Sequence, residues 1–426
     1  MWRTILLGVS LSLPLVADQL QAQHPTEPPR LLDDIRFLSD DRLKGRMTGS
    51  AGADSAASYL ARRFSQVGLQ PAAGGWFQSF TVGREAPAAR QAHTGALIGR
   101  NVIGILPGRD PVLRNQTVVL GAHYDHLGHG GFGSLDPDST GFVHNGADDN
   151  ASGAAALIQV AARLALSPPA RTVVFIAFSG EELGLLGSAH YVKEPIYPLA
   201  DMVAMVNLDM VGRLRNGRLI VYGARSAKEF PALLDSLNWY AGFDMKAQGD
   251  GYGPSDHSSF YAAKRPVLHL FTDLHEDYHR TTDDWQKLNY DGLKRVADFS
   301  LGLVTALANR TKPLTFLDQP APVATQVTTR ATSGAAGYGA YLGTVPDMTG
   351  APGGVRLVGV RTGSPAEKAG LRGDDIITRI GSIETPDLQA MTDALRSHKP
   401  GETVEIVVRR GAKVATLRAT LGERGG

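Results

Sequence analysis

Five residues able to bind metal lie within the first 280 positions, each inside a short polar motif. They are His123 in Ala122-His123-Tyr124-Asp125, Asp148 in Gly146-Ala147-Asp148-Asp149-Asn150, Glu182 in Gly180-Glu181-Glu182, Asp209 in Asn207-Leu208-Asp209-Met210, and His279 in Tyr278-His279-Arg280. Two imidazoles and three carboxylates form a donor set for a pair of zinc ions. The charges close as well. Two divalent ions bring four positive charges, Asp148, Glu182 and Asp209 remove three, and a bridging hydroxide removes the fourth. Ions about 3.5–4 Å apart together polarise a carbonyl and acidify a shared water. That water needs a proton acceptor, and Glu181 is adjacent without being needed as a ligand. Asp125, two residues after His123, is placed to fix the tautomer of that imidazole. The chemistry expected is hydrolysis.

Residues this far apart must be gathered by a fold. Ala53 to Val67 has the apolar period of an amphipathic helix. Strands are expected at Asn101–Leu106, Thr117–Ala122, Arg171–Phe178, Met202–Leu208 and Val267–Phe271, and helices at Ala151–Leu166, Leu183–Tyr191 and Leu288–Ala308. The alternation predicts an α/β domain with a mixed, mostly parallel sheet sandwiched by helices. Its expected span is 31–312. His123, Glu181, Glu182 and Asp209 then fall at the carboxyl ends of strands, where open α/β sheets collect ligands.

The chain has 426 residues, a formal charge of +1, 49 glycines and no cysteine. This length calls for two domains. The near-neutral balance with no long basic block gives no reason to expect nucleic acid. Disulfides and thiol chemistry are excluded. Arg3, the apolar run Ile5–Ala17 and the small residue Ala22 have the pattern of a secretory signal over residues 1–22. The run is too short for a bilayer span, which needs about 20 apolar residues. The mature chain is therefore expected to be exported, periplasmic or secreted, without a membrane span.

The motif order His-x-Asp, Gly-Ala-Asp-Asp-Asn-x-Ser-Gly, Gly-Glu-Glu-x-Gly-x-x-Gly-Ser, Asn-x-Asp-Met and a late Tyr-His resembles the co-catalytic zinc aminopeptidase family. That family includes bacterial leucyl aminopeptidases, glutamate carboxypeptidase and glutaminyl cyclase. Leu43-Lys44-Gly45-Arg46 with Thr48–Gly52 is similar to its amino-terminal region. The resemblance implies one zinc on His123, Asp148 and Asp209, and a second on Asp148, Glu182 and His279, with Asp148 bridging. It implies Glu181 as general base and later proton donor, and a cis peptide between Asp148 and Asp149. Ser255, Asp256 and His257 align with the family's pocket loop. His126, His129 and His144 are expected as solvated loop histidines, and Asp283 and Asp284 as caps or supporting groups. The stretch from Phe80 to Asn101 leaves no room for the inserted domain of some relatives.

Residues 313–336 are rich in Pro, Ala and Thr and have no periodicity, as in a linker. Residues 337–422 then resemble a PDZ domain of the kind attached to bacterial periplasmic proteases. The most specific stretch is Gly363-Ser364-Pro365-Ala366 through Asp375-Ile376-Ile377. Ser364 is a good N-cap, Pro365 follows at the first helical position, and Gly370 stops the helix. Tyr341-Leu342-Gly343-Thr344 aligns with the carboxylate-binding loop, where a peptide or protein carboxyl terminus would dock as an added strand.

The expected function is an exported two-zinc metallopeptidase acting as an aminopeptidase on peptides. Three rivals stay open. A glutaminyl cyclase-type acyltransferase would hold one zinc. A carboxypeptidase for acidic peptides would need arginines such as Arg213 and Arg280 at the site. A non-catalytic peptide-binding protein would be indifferent to Glu181.

Overall fold

The computed structural model describes residues 27–82, 97–131, 133–249, 251, 253–318, 340–346, 351, 353–360, 363–386 and 388–422. The expected signal at 1–22 and linker residues 319–336 lie outside the described residues.

Helix α1 (Glu27–Leu38) begins ahead of the expected start at Leu31, and α2 (Ala51–Gln66) follows it. The strands β1 (Gln70–Pro71), β2 (Phe77–Val82), β3 (Leu97–Leu106) and β4 (Thr117–His123) lead to α3 (Gly153–Leu166) and β5 (Thr172–Phe178). Next come α4 (Leu186–Lys193), β6 (Met202–Leu208), β7 (Arg218–Tyr222), α5 (Phe230–Ala241) and β8 (Asp244–Gln248). The domain closes with α6 (His257–Ala262), β9 (Val267–Phe271) and α7 (Tyr290–Asn309). The sheet runs β1-β3-β5-β4-β6-β9-β7-β8, with β2 on β3. The central strands β5, β4, β6 and β9 are parallel; β3 and β7 flank them antiparallel.

Every residue of β4 and β5 is buried. Strands covered on both faces need continuous apolar runs, and both have them. Alternation splits the strands between two cores. Val118, Leu120, Ala122, Val173, Phe175 and Ala177 face the layer holding α1, α2, α3 and α7. Val119, Val174, Ile176 and Phe178 face Tyr191, Phe260 and Tyr261 of α4 and α6. Because the central strands are parallel, the loops leaving β4, β5, β6 and β9 all emerge at one edge.

The start of the expected linker belongs to this domain instead. The amide of Lys228 donates to Thr315 O (3.0 Å) and that of Leu317 to Ser226 O (2.9 Å). The Phe316 ring lies 5.4 Å from that of Tyr261. An aromatic anchor and paired amides make 314–317 a strap on the body, which composition alone did not reveal.

The second unit has its own core, including Leu342, Leu357, Ile377, Ile380, Met391, Ile406 and Val408. Its strands are β10 (Thr344–Pro346), β11 (Val355–Val360), β12 (Ile376–Ile380), β13 (Ile383–Glu384), β14 (Thr403–Arg410) and β15 (Lys413–Thr420). They run β10-β11-β12-β14-β15, with β13 on β12. Two helices accompany them, α8 (Pro365–Lys368) and α9 (Leu388–Ser397). Ser364 Oγ caps α8 by accepting from the Glu367 amide (3.1 Å). Among the described residues no helix is long and apolar enough to cross a membrane.

Candidate metal centre

At the carboxyl edge of the large sheet, β4 ends on His123 and β6 is followed by Asp209. The loop after β5 carries Glu181 and Glu182, and the loop after β9 carries His279. The turn before α3 supplies the fifth group, and it is Asp149 rather than Asp148. Asp149 Oδ1 lies 3.3 Å from His123 Nε2, and Asp149 Oδ2 lies 3.1 Å from His279 Nε2. His123 Nε2 is also 3.2 Å from Asp209 Oδ1, and His279 Nε2 is 3.2 Å from Glu182 Oε2. One carboxylate thus offers its two oxygens to two separate clusters.

Asp148 points the other way. Its Oδ1 accepts from the Gly212 amide (2.6 Å), and its Oδ2 is 3.1 Å from His275 Nε2. The reason is backbone geometry. Asp149 has φ −107° and ψ 91°, an extended conformation inside an otherwise helical turn. Neighbouring side chains on extended backbone project to opposite sides. The cis peptide is likewise one step later than expected, between Asp149 and Asn150. Asp283 Oδ2 accepts from the amides of both Asp148 (2.9 Å) and Asp149 (3.0 Å), which fixes the turn. Burial and the nearby Asp148 carboxylate push Asp283 up to about 6.

Arg46 ties this turn to the loop after β4. Its buried guanidinium donates to the carbonyls of Leu38, Tyr124 (2.7 Å), Asn145 (2.6 Å) and Gly146 (3.0 Å). Burial lowers it to about 10, against the pull of nearby carboxylates, so it stays charged at neutral pH.

Both imidazoles are oriented from behind. His123 Nδ1 contacts the backbone carbonyl of Asp125 (3.2 Å), and His279 Nδ1 contacts that of Gly133 (2.8 Å). Those bonds assign the proton to Nδ1 and leave the Nε2 lone pairs facing the carboxylates. The Asp125 carboxylate is not the close partner of His123, at 3.7 Å. It accepts instead from Thr48 Oγ1 (2.9 Å) and from the Glu181 amide (3.2 Å), so it holds the Glu181 loop.

Electrostatics require something positive between these groups. Burial alone would depress the His123 and His279 imidazoles. For His123, Asp209 and Glu181 outweigh it; for His279, Glu182 and Asp149 do. Both rings are held well above the usual imidazole range. Lone pairs aimed at carboxylates demand a proton or a metal in the gap. The spacing fits a metal. Tetrahedral zinc with bonds of about 2.0–2.1 Å has donor–donor edges of about 3.3 Å. The four edges described above are 3.1–3.3 Å. His123, Asp149 and Asp209 form one group that could hold an ion, and His126, Asp149 and Glu182 form a second.

Glu181 faces the cavity beside this cluster. Burial pushes its carboxyl well above the usual range; His123 opposes the rise, while Glu182, Asp209 and Asp256 add to it. The cavity is lined by Asp149, Glu181, Asp209 and His279, with an apolar wall of Met210, Tyr222, Phe271, Leu274 and Tyr278. Pro254 and His269 also line it, but Ser255, Asp256 and His257 do not. These three lie fully buried behind the wall. Ser255 Oγ donates to Asp209 Oδ2 (2.6 Å) and accepts from Asn207 Nδ2 (2.8 Å). Ser255 therefore supports Asp209 rather than touching the cavity. Burial raises Asp256 to about 7 and depresses His257.

Of the three loop histidines, only His129 is exposed. His144 is buried, with Nε2 2.9 Å from Ser134 Oγ, and His126 is buried beside Glu182. Sequence reasoning missed His126 and Asp149 as members of the cluster. The spacing of His126 three residues after His123 was the one available signal. Arg213 is engaged by Asp277 (2.6 Å), and neither it nor Arg280 lines the cavity.

In the second unit, Tyr341 exchanges backbone hydrogen bonds with Gly422 (2.8 Å each). Leu342 is buried in the core, and Thr344 opens β10 at the sheet edge. Gly343 has φ +82°, and a Cβ there would lie 2.3 Å from Ser364 Cβ, so glycine is required.

Both units are similar to known proteins. Residues 101–304 match Peptidase family M28, and residues 333–421 match the PDZ domain. Leupeptin-inactivating enzyme 1 of Streptomyces exfoliatus is 26% identical over 295 residues, covering 66% of this chain and 58% of that protein. Leucine aminopeptidase 1 of Uncinocarpus reesii is 30% identical over 226 residues, 49% of this chain and 54% of that one. Aminopeptidase YwaD of Bacillus subtilis is 28% identical over 253 residues, 57% and 52% of the two chains. The matched regions thus span a little over half the length of these relatives. A Zn-dependent exopeptidase from Parabacteroides distasonis superposes with a TM-score of 0.55 at 20% identity, covering 66% of this chain and 98% of that one. The zinc aminopeptidase BSAP from Bacillus subtilis gives 0.52 at 19%, covering 68% and 98%. The shared fold is a zinc-exopeptidase α/β sandwich.

Proposed function

We propose that this chain, which carries a peptidase family M28 domain followed by a PDZ domain, is an exported two-zinc aminopeptidase. The observation that carries the reading is Asp149, whose two oxygens serve two separate imidazole–carboxylate pairs. One zinc would be held by His123, Asp149 and Asp209, and the other by Asp149, Glu182 and His279. The ions would supply Lewis acidity, polarising the scissile carbonyl and acidifying water.

The chain's own residues do the rest. Glu181 lines the cavity. It takes a proton from water as the water adds to the carbonyl, then gives it to the departing amine. A free α-amine would dock on one of the ions or on a nearby carboxylate. The apolar wall of Met210, Tyr222, Phe271, Leu274 and Tyr278 suits an apolar amino-terminal side chain of the substrate. Relatives named as leucine aminopeptidases support the same direction. The absence of Arg213 and Arg280 from the cavity speaks against capture of a substrate carboxylate.

Export rests on the signal pattern of residues 1–22, and the domain limits on composition together with the two family matches. The PDZ unit would take a carboxyl-terminal peptide along the open edge of β10, with its carboxylate at Tyr341–Thr344. A panel of free and amino-blocked peptides, with metal analysis and Glu181→Gln as control, tests the reading. Free leucyl peptides should be cleaved and blocked ones spared. Equal cleavage of both would remove the aminopeptidase assignment, and one ion per chain would favour the cyclase-type reading.

A further inference from the structure

We infer that His126 is a positioning residue that holds Glu182 with one oxygen, Oε2, turned toward the second cation position. The inference rests on the two-cation reading. His126 is buried, and its Nδ1 lies 2.7 Å from Glu182 Oε1. It also lies 3.9 Å from Asp149 Oδ2. These distances decide between two roles. Donors around a common zinc stand about 3.3 Å apart, as the four edges at His123 and His279 do. The contact with Glu182 is too short for such an edge and the one with Asp149 too long. A separation of 2.7 Å is that of a charge-assisted N–H···O hydrogen bond. His126 therefore donates to Glu182 and is not itself a ligand.

The opposite side of the centre is built the same way. Asp209 turns Oδ1 toward His123, while its Oδ2 accepts from Ser255 Oγ (2.6 Å). Glu182 turns Oε2 toward His279, while its Oε1 accepts from His126. Each terminal carboxylate has one oxygen tied to a buried donor and one left for a cation. Only Asp149 keeps both oxygens for cations.

The ring has little freedom to turn away. The backbone amide of His126 donates to Arg46 O (3.4 Å), and its ring meets that of His279 edge-on at 5.8 Å. Gly146 backs it: a Cβ at Gly146 would come within 2.5 Å of the imidazole carbons. Nε2 has no hydrogen-bond partner among the described residues, which suits a lone pair and places the proton on Nδ1.

The test is calorimetric zinc titration of metal-depleted full-length protein, comparing wild type with His126→Ala, His126→Asn and Ser255→Ala. Wild type should bind two ions. His126→Ala should weaken one of the two by roughly 10- to 100-fold, the size seen when a group supporting a ligand is lost. His126→Asn, which keeps a donor near the Nδ1 position, should recover most of that loss. Ser255→Ala should weaken the other ion, so combining it with His126→Ala should weaken both. Unchanged affinities in His126→Ala would overturn the inference, and so would equal weakening of both ions in that variant alone. Complete loss of one ion, matching His279→Ala, would also overturn it by making His126 a ligand. A single ion in wild type would instead defeat the two-cation reading itself. If His126→Ala does not fold, the His126→Asn titration decides alone, with wild-type-like affinities at both positions expected and selective loss of one ion to the level of His279→Ala contradicting it.

Discussion

Asp375 in the small sheet and Asp149 at the edge of the large one are both buried aspartates, yet they are satisfied differently. Arg410 grips Asp375 with Nε on Oδ1 (2.6 Å) and Nη2 on Oδ2 (2.7 Å), and the Arg372 amide adds a third bond (3.0 Å). That carboxylate carries its counter-charge within its own domain. Asp149 faces the Nε2 atoms of His123 and His279, with Glu182 and Asp209 crowded alongside, and has no guanidinium or ammonium on its oxygens among the described contacts. Arg46 is close enough to feel the field but spends its donors on carbonyls. The contrast separates a closed ion pair from a site whose balance depends on an added cation.

The comparison breaks most visibly at Asp149. Asp149→Asn should remove the shared anchor of both ions and cut kcat/KM by roughly 10³-fold or more, since metal polarisation supplies several kcal/mol at the transition state. Asp148→Asn should leave metal content intact and cost about 1–3 kcal/mol of stability, because it removes the charge and the Oδ2 acceptor facing His275. Steady-state kinetics and thermal melts on both variants separate the two aspartates, and reversed effects would break the distinction.

Glu181→Gln should keep both ions while lowering kcat by roughly 10²–10⁴-fold, as expected for loss of a general acid–base group. Activity near the wild-type level with full metal content would contradict its role.

Chelation should act on one domain only. Binding at 1,000 times Kd stabilises by about 4.1 kcal/mol, so metal removal should loosen the large domain by that order. Hydrogen exchange should speed up in residues 123–128, 146–152, 180–185 and 273–283 and stay unchanged in 375–380. Equal acceleration in both regions would erase the contrast.

Asp375→Asn should cost about 1.5–3 kcal/mol, the size of a hydrogen bond to a charged group, with no effect on metal or activity. Although burial raises its carboxyl, the hydrogen bonds from Arg410 and the Arg372 amide win, and Asp375 titrates below its usual value. A group depressed on folding stabilises above its unfolded pKa of about 3.9 and loses that contribution as pH falls through the folded value. The difference between wild type and Asp375→Asn should be full at neutral pH and shrink below about pH 4. Melts across that range check the sign.

The sequence made the centre of the fold plain and its margins less so. β4, β5, β6 and β9 are largely apolar runs, broken by Asn207 and His269, because helices cover both their faces, and such runs stand out. β7 and β8 did not stand out: Asp244–Gln248 is half-exposed at the edge and carries Lys and Gln. β15 has the same polar, exposed character at the end of the small sheet. At the site, His123, Glu182 and Asp209 lie at strand ends and could be placed by counting, whereas His279, in the loop after β9, could be found only by its Tyr-His motif. Asp148 and Asp149 could not be told apart, because adjacent carboxylates are equivalent until the backbone decides which one turns inward. Ser255 aligns with a pocket loop, and its actual role does not show in the sequence because its hydrogen bond to Asp209 is purely tertiary. Such a bond leaves no periodic trace in the chain.

The central claim is that two cations share Asp149. Diffraction from zinc-loaded crystals of the full chain, collected on both sides of the zinc absorption edge, tests it most directly. The account predicts two anomalous peaks about 3.5–4 Å apart, one on each side of the Asp149 carboxylate. A single peak, or peaks centred on Asp148, would contradict it.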